Sequence, residues 1–377
     1  MECIATAAFG LEGLVKQELQ ALGIPARGEM GGARFEASPG QIFESNLSLR
    51  TADRVLIVAG EEKVTSFEAL FQFVSSLPWE DYLPRDARFP VSGKCARSQL
   101  MSVRDCQAIT KKAIAERLKK RYRVAWCEEG GPLYPIDVSL HGDTARLTID
   151  SSGDALNRRG YRTWTGEAPL RETLAAALVM LAPQDGSVFY DPCCGSGTLL
   201  IEAAYLRARR APGLTRRFAC EDWPSFPRKE MEALRQEAFA RFDPSLIGSV
   251  SGSDIDPEAL KLCKRHIHQA GLDGRITVTQ KDLRDLTLSA PHPLFLLNPP
   301  YGERLSDRKA CERLYRDIRG LYDRHPGCRM GVITAHTGFE RCFGQHAQQK
   351  RRLYNGRLEC EYLLYGAKKP NHTAGGA

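Results

Sequence analysis

Apolar residues fall at strand spacing and helix spacing in turn along the second half of the chain. Val188–Tyr190 predicts a strand, Gly195 and Gly197 permit a sharp turn, and Thr198–Ala204 has apolar residues at helical intervals. Further strands are predicted from Ser249, at Ile276–Leu283, Leu294–Leu297 and Met330–Ala335, with helices at Lys229–Phe242 and Leu314–Tyr322 and two closing strands within Lys350–Tyr365. This order predicts an α/β fold with a Rossmann-like sheet.

The first half predicts two small α+β domains. Residues 1–50 contain a strand from Ile4, a helix that ends at Gly23, a return strand at Ala33–Ala37 and a helix at Ile42–Leu49, which is a ferredoxin-like order. The next domain is predicted from the strands Val55–Glu62 and Arg88–Lys94, the helix Val103–Tyr122 and a hairpin of Ile136–Leu140 and Thr144–Ile149. A third domain is expected over 155–367, preceded by the second domain at 51–154, and residues 368–377 are expected to be disordered.

Composition excludes several classes of protein. The chain is 42% hydrophobic and 26% charged, no apolar run approaches the ~18 residues of a membrane span, and no signal peptide opens it, so we expect a cytoplasmic protein. Twelve cysteines without Cys-x-x-Cys spacing indicate free thiols and no metal site. The sequence leaves the oligomeric state open between a monomer and a weak dimer.

Positive charge is concentrated in one segment. Lys94–Arg123 carries ten Lys and Arg and two acids, an excess larger than the net charge of +7 for the whole chain. The helix predicted there places Cys106, Ile109, Ala113, Ile114 and Leu118 on a buried face and its lysines around the others. An RNA-binding surface and an ordinary solvated helix both fit this pattern.

Acidic residues follow the predicted strands. Asp191 comes directly before the glycine turn, Asp254 and Asp256 end the second strand, and Asp282 ends the third. A carboxylate at the first tip suits a ligand ammonium group, and the Gly-Lys-Ser/Thr ending of a phosphate-binding loop is missing. An acid at the second tip accepts ribose hydroxyls, although Asp256 and Asp282 also have the positions of helix caps.

The fourth strand ends in Asn298-Pro299-Pro300-Tyr301, and with it the chain resembles the class I methyltransferases that use S-adenosylmethionine and methylate amino groups. Residues 150–204 and 211–223, together with the amino-terminal half, resemble the THUMP-containing ribosomal RNA guanine-N2 methyltransferases. The segment Lys94–Ala113 resembles the core of the RNA-binding THUMP domain. Longer members carry a second methyltransferase half, which this sequence does not contain, so a single modification site is expected.

The resemblance and the strand tips together imply three sets of site residues. The catalytic candidates are Asn298, Pro299, Pro300 and Tyr301. The candidates for binding S-adenosylmethionine are Asp191, Cys193, Gly195, Gly197, Asp254, Ile255, Asp256, Asp282, Leu283 and Asn298. The candidates for binding RNA are Lys94, Arg97, Ser98, Lys111, Lys112, Arg158 and Arg159. Two alternatives stay open: Arg158, Arg159 and Tyr161 seal the domain junction, and Arg216, Arg217 and Trp223 are packed within the protein instead of contacting RNA.

The chemistry of the fourth strand tip explains why these residue types matter. The lone pair of a purine exocyclic amine is conjugated into the ring, so the amine needs two acceptors that localise it. The Asn298 amide oxygen and the Pro299 carbonyl are suited to that role, Pro300 stiffens the backbone, and the Tyr301 ring offers a surface for an extruded base.

The sequence therefore predicts a methyltransferase acting on N2 of a guanine in 23S ribosomal RNA. Transfer RNA guanine, DNA adenine and a protein glutamine amide are alternative acceptors for the same chemistry. An RNA-binding ribosome assembly factor with a vestigial methyltransferase domain is an alternative of a different class, which the intact strand-tip acids disfavour.

Overall fold

The computed structural model describes residues 1–162, 170–183, 188–302 and 305–366, of which 305–307 are described by their backbone alone. Pro169, at which the sequence favours the start of a helix, and the tail at 368–377 lie outside the described residues. The chain forms two compact units. The first comprises residues 1–7, 12–156 and 212–239, and the second comprises 8–11, 157–211 and the chain from Ala240 onward.

The first unit is built on one seven-stranded sheet, in the order β2-β3-β1-β4-β7-β6-β5. Its strands are β1 (Glu2–Thr6), β2 (Ala26–Glu29), β3 (Gly32–Glu36), β4 (Arg54–Lys63), β5 (Val91–Ala96), β6 (Ile136–His141) and β7 (Thr144–Asp150), and its helices are α1 (Glu12–Ala21), α2 (Pro39–Ser48), α3 (Phe67–Ser76) and α4 (Val103–Tyr122). Strand β4 pairs with β1 on one side and β7 on the other, so the two predicted amino-terminal domains share a continuous sheet.

Helix α4 has the bounds that the sequence predicts, because both of its ends are capped. The Ser102 hydroxyl accepts a bond from the Asp105 backbone N–H at its start, and Arg123 ends it in a left-handed conformation. Basic residues in the last turn also complement the helix dipole. The buried face differs at one position: Thr110 is buried and Ile109 is only half-buried. The other buried residues are Cys106, Ala113, Ile114 and Leu118.

The remaining elements follow β7 along the chain. Their strands are β8 (Phe189–Asp191), β9 (Val250–Asp254), β10 (Ile276–Gln280), β11 (Leu294–Leu297), β12 (Arg329–Thr334), β13 (Gln349–Asn355) and β14 (Leu358–Tyr365), and their helices are α5 (Glu172–Leu181), α6 (Thr198–Arg207), α7 (Arg228–Ala240), α8 (Pro257–Gln269), α9 (Leu305–Arg324) and α10 (Phe339–Phe343). All these strands belong to the second unit, in a sheet of order β10-β9-β8-β11-β12-β14-β13.

Strand order in the second sheet fixes the place of the binding crevice. Strands β10, β9, β8, β11 and β12 run parallel, whereas β14 is antiparallel to both of its neighbours. The order reverses between β8 and β11, and open α/β sheets bind ligands beyond the carboxyl ends of strands at such a reversal. Every residue of β11 is buried, which explains its unbroken run of large apolar side chains.

Several elements depart from the sequence-based prediction. β2, α3 and α10 were not predicted. Strand β5 begins at Val91 rather than Arg88, since Pro90 has no N–H to donate to a ladder. Strand β10 ends at Gln280, and a short 3-10 turn at Leu283–Asp285 takes the place of its expected last residues. Across the described residues, no helix combines the length and the apolar content that crossing a bilayer requires.

Candidate active site

The turn after β8 depends on two glycines in left-handed conformation. Gly195 has φ 49° and Gly197 has φ 82°, a region that residues with a side chain rarely adopt. A β-carbon at position 197 would also lie 2.5 Å from the Cys263 sulfur. The turn therefore brings the first residues of α6 close to the tip of β8, where backbone N–H groups and the helix dipole favour an anionic group.

Asp191 is a buried carboxylate at the tip of β8. Its side chain accepts a 3.0 Å bond from the Cys193 backbone N–H, and the residue is 2% exposed. Burial raises the pKa of Asp191 well above its usual value, and the nearby Asp254 carboxylate raises it further. Among the described residues no cationic side chain forms an ion pair with it. A bound ammonium group would supply the missing charge.

Asp254 connects the tips of β9 and β8. One carboxylate oxygen accepts from the Gly195 N–H at 2.8 Å and the other accepts from the Asp256 N–H at 3.0 Å. Asp256 itself accepts from the Glu258 N–H at 2.9 Å and so caps α8, as its alternative interpretation predicts. The ribose role of either acid stays a prediction, since each carboxylate oxygen has a further lone pair.

Asp282 is engaged by its own turn. It caps the turn at Leu283–Asp285, and both of its oxygens accept bonds from the Arg284 guanidinium. The Arg284 side chain lowers the pKa of Asp282. Leu283 is buried. Ile255 is 64% exposed at the tip of β9, and an exposed apolar side chain there is suited to pack against a flat ligand.

A cavity of about 450 Å³ opens beside the glycine turn in the second unit. Five predicted cofactor residues line it, namely Asp191, Cys193, Gly195, Asp256 and Asn298; Gly197, Asp254, Ile255, Asp282 and Leu283 are not in its lining. Leu170, Cys194, Ser196, Thr198, Leu199, Glu258, Ala259 and Leu262 complete the wall. The cavity thus joins the acid of β8, the start of α8 and the amide that ends β11.

One wall of the cavity is held by a buried ion pair that the sequence analysis did not single out. The Arg162 guanidinium lies 3.4 Å from Glu172 and donates to the Leu170 carbonyl and the Thr198 hydroxyl. Leu170 and Thr198 both line the cavity, so Arg162 fixes two parts of its wall.

The Asn-Pro-Pro-Tyr loop after β11 is fixed by two tyrosines. The Tyr301 hydroxyl donates to the Asn298 amide oxygen at 2.6 Å, so the predicted acceptor already has one partner. The buried Tyr315, on α9, donates to the Pro300 carbonyl at 2.8 Å. Pro299 is buried and Pro300 is exposed. Tyr315 was missed because it lies in a helix beyond the motif.

The predicted RNA-binding residues occupy different environments. Lys94, Arg97, Lys112 and Arg158 are exposed. Ser98 donates to Asp143 at 3.0 Å. Lys111 is half-buried, 2.6 Å from Glu129 and 3.6 Å above the Phe89 ring, so its charge is satisfied within the protein. Arg159 is 3% exposed and lies 3.6 Å from Glu202, so its guanidinium is packed within the protein, as the alternative interpretation of this residue expects.

The Arg-rich insertion packs within the first unit. Trp223 is 2% exposed, stacks on Tyr134 at 4.5 Å and donates to the Leu133 carbonyl. Arg216 donates to the carbonyls of residues 154 and 155. Of the two interpretations of this segment, the packed one is therefore correct for Trp223 and Arg216.

Sequence models of three families match the chain. The RMKL-like methyltransferase domain matches residues 159–363, the RlmL ferredoxin-like domain matches 2–56 and the THUMP domain matches 64–150. The chain belongs to the RMKL-like methyltransferase family. The predicted architecture, a Rossmann-like methyltransferase domain preceded by ferredoxin-like and THUMP domains, is confirmed.

Relatives extend this likeness over the whole chain. YpsC of Bacillus subtilis, provisionally named an RNA methyltransferase, is 38% identical over 97% of this chain and 96% of its own length. The ribosomal RNA large subunit methyltransferase K/L of Allochromatium vinosum is 32% identical over 96% of this chain and 51% of its own. The chain thus spans about half the length of that relative.

Two solved structures are similar throughout. A Listeria monocytogenes protein described as a predicted N6-adenine-specific DNA methylase is 42% identical, with a TM-score of 0.92 over 97% of this chain and 95% of its own. SMU.472, solved in complex with SAH, is 38% identical, with a TM-score of 0.93 over 98% of each chain. The chain is a methyltransferase of this family, and its likeness to a structure solved with SAH gives S-adenosylmethionine as its cofactor. The buried acid and the adjoining cavity fit that ligand's ammonium group.

Proposed function

We propose that this methyltransferase methylates the exocyclic N2 amine of a guanine in large-subunit ribosomal RNA. The observation that carries the proposal is the position of Asn298, which lines the same cavity as the buried Asp191. An acceptor for a substrate amine and an acceptor for the cofactor's ammonium group thus face one space. The acceptor RNA is inferred from the name of the K/L relative and from the THUMP domain.

The protein contributes to the reaction mainly by positioning the substrate amine against the methyl group of the cofactor. S-adenosylmethionine supplies a methyl group on a sulfonium, so that an N–C bond forms as a C–S bond breaks and the amine afterwards loses a proton to water. Asn298 and the Pro299 carbonyl would accept the two amine N–H bonds and turn the nitrogen lone pair toward the methyl group. Attack removes positive charge from sulfur, so a strongly shifted general base is not needed.

Two tyrosines keep the acceptors aimed. The 2.8 Å bond from Tyr315 to the Pro300 carbonyl fixes the backbone directly after Pro299. The Tyr301 hydroxyl holds the Asn298 amide with its oxygen toward the tyrosine, and that oxygen retains a second lone pair for the substrate. The same bond fixes the position of the Tyr301 ring, on which an extruded guanine would stack.

A second acceptor, the N6 amine of adenine, follows from the description of the Listeria structure. The two acceptors are aromatic exocyclic amines and need the same pair of hydrogen-bond acceptors, so the loop itself does not discriminate between them. Transfer RNA guanine is the closest alternative among RNA substrates. The vestigial-factor alternative is disfavoured because Asp191, Asp254 and Asn298 all retain the geometry described above.

The test is direct identification of the product. Ribosomal RNA, transfer RNA and DNA from a strain that lacks the protein are incubated with the purified chain and labelled S-adenosylmethionine, then digested and resolved as nucleosides. We expect N2-methylguanosine from the ribosomal RNA. Label in N6-methyladenine, or in transfer RNA alone, contradicts the proposal, and Asn298→Ala is the matched inactive control.

A further inference from the structure

One face of α4 carries a stripe of positive charge. Lys112, Lys119 and Lys120 stand at positions i, i+7 and i+8, which lie on one side of a helix, and Arg123 directly follows the last residue of α4. Lys112, Lys120 and Arg123 are exposed. Arg117 and Arg121, by contrast, both lie against Glu80. Three of the four charges in the stripe are therefore presented to solvent.

Trp126 lies just beyond the end of this stripe and is 74% exposed. Trp79 and Trp223, in the same unit, are 0% and 2% exposed. An indole left in water forgoes the stabilisation that burying so large an apolar surface gives, so its exposure calls for a reason. The next residue, Cys127, is buried, and the Val124 N–H donates to the Lys119 carbonyl, so the backbone on both sides of Trp126 is held.

The indole and the stripe belong to one surface. The Lys119 ammonium lies 5.6 Å from the centre of the Trp126 ring. The carboxylates nearby are Glu116, 3.9 Å from Lys112, the exposed Glu128, and Glu129, which is paired with Lys111. Residues 111–129 thus carry seven Lys and Arg and three acids.

This combination favours a nucleic acid over a protein partner. Lysine is depleted from protein–protein interfaces. Sites that bind single-stranded nucleic acid, in contrast, combine cationic contacts to phosphates with an aromatic surface on which a base stacks. A base within a duplex is already stacked on its neighbours and has no free face for an indole. An unpaired nucleotide has such a face.

We propose that Trp126 and the stripe of Lys112, Lys119, Lys120 and Arg123 form a binding site for a short unpaired stretch of RNA. One base stacks on the Trp126 ring while neighbouring phosphates contact the stripe. The inference rests on the proposed function in that RNA is the substrate, and it adds that the substrate presents unpaired nucleotides to the first unit.

The test compares full-length variants with two RNA probes, a short oligouridylate and a hairpin duplex of similar charge. Trp126→Ala should weaken oligouridylate binding about tenfold to a hundredfold, Trp126→Phe should weaken it much less, and duplex binding should hardly change. Phe239→Ala, at another aromatic that is 65% exposed, is the matched control and should bind both probes as wild type does.

Salt dependence separates the ring from the charges. Trp126→Ala should keep the wild-type slope of affinity against salt concentration, whereas Lys119→Gln combined with Lys120→Gln should flatten it. Equal oligouridylate affinity for wild type and Trp126→Ala overturns the inference, as does an equal loss for both probes. Cofactor affinity verifies folding of each variant. A wrong product nucleoside would refute the proposed function, whereas these binding measurements decide the Trp126 site separately.

Discussion

Replacing Asp191 with Asn should separate cofactor binding from protein stability. The substitution keeps the side-chain shape and an oxygen that accepts from the Cys193 N–H, and it removes only the charge. A charge-assisted hydrogen bond contributes about 1.5–3 kcal/mol, so loss of the carboxylate partner for the cofactor's ammonium should weaken S-adenosylmethionine binding roughly tenfold to a hundredfold. Calorimetry on the two proteins measures this difference directly.

The same substitution should increase the stability of the cofactor-free protein. Burial raises the pKa of Asp191 above its unfolded value of 3.8, so the folded protein holds this proton more tightly than the unfolded chain does. The stabilisation that the protonated Asp191 side chain gives is therefore fully present below pH 3.8 and is lost as pH rises through the raised folded pKa. Without cofactor, Asp191→Asn should melt higher than wild type at neutral pH, and the gap should narrow as pH falls.

Weaker cofactor binding and a higher melting temperature without cofactor are both needed to support the assignment of Asp191. Cofactor affinity of the wild type should also rise with pH, since the ammonium group favours the ionised carboxylate. An Asn variant that binds the cofactor as tightly as wild type would show that Asp191 has a structural role only. A variant that melts lower without cofactor would show that the carboxylate has a cationic partner within the protein.

Three further predictions concern neighbouring groups. Asp254→Ala should weaken cofactor binding by about 1.5–3 kcal/mol, whereas Asp256→Ala should cost about 1 kcal/mol of stability as a lost helix cap; calorimetry that gives the reverse ranking would assign the ribose to Asp256. Tyr315→Phe should lower kcat severalfold while the cofactor Kd stays constant, because it frees the backbone beside the catalytic amide; an unchanged kcat would make that bond incidental. Lys112→Gln should flatten the salt dependence of RNA binding more than Lys111→Gln, whose ammonium is already paired; equal slopes would contradict this order.

Local signals in the sequence were sufficient for most of the architecture. Helix α4 was predicted at its observed place because its apolar residues keep helical spacing. The strand–turn–helix around Gly195 was predicted because left-handed turns require glycine and a buried parallel strand requires an apolar run. Such features depend on neighbours along the chain.

Features that depend on distant partners were not predicted. Strand β2 is formed by Ala26–Glu29, which has no apolar alternation and is fixed by its pairing with β3. For Arg159 the sequence left RNA contact and burial open, because nothing near it in sequence reveals the buried Glu202. The contacts of Asp254 with the Gly195 turn join residues 59 positions apart. Tertiary contact decides these roles, and a single sequence does not record it.

The central claim is that the amide of Asn298 orients a guanine N2 for methylation. The most direct test complements a strain lacking the protein with wild type or Asn298→Ala and quantifies N2-methylguanosine in large-subunit ribosomal RNA by mass spectrometry. One lost acceptor should cost about 3 kcal/mol at the transition state, so purified Asn298→Ala should transfer methyl groups roughly a hundredfold more slowly and Asn298→Asp should be less impaired. We predict that wild type restores the nucleoside and Asn298→Ala does not. Equal restoration by both would contradict the account.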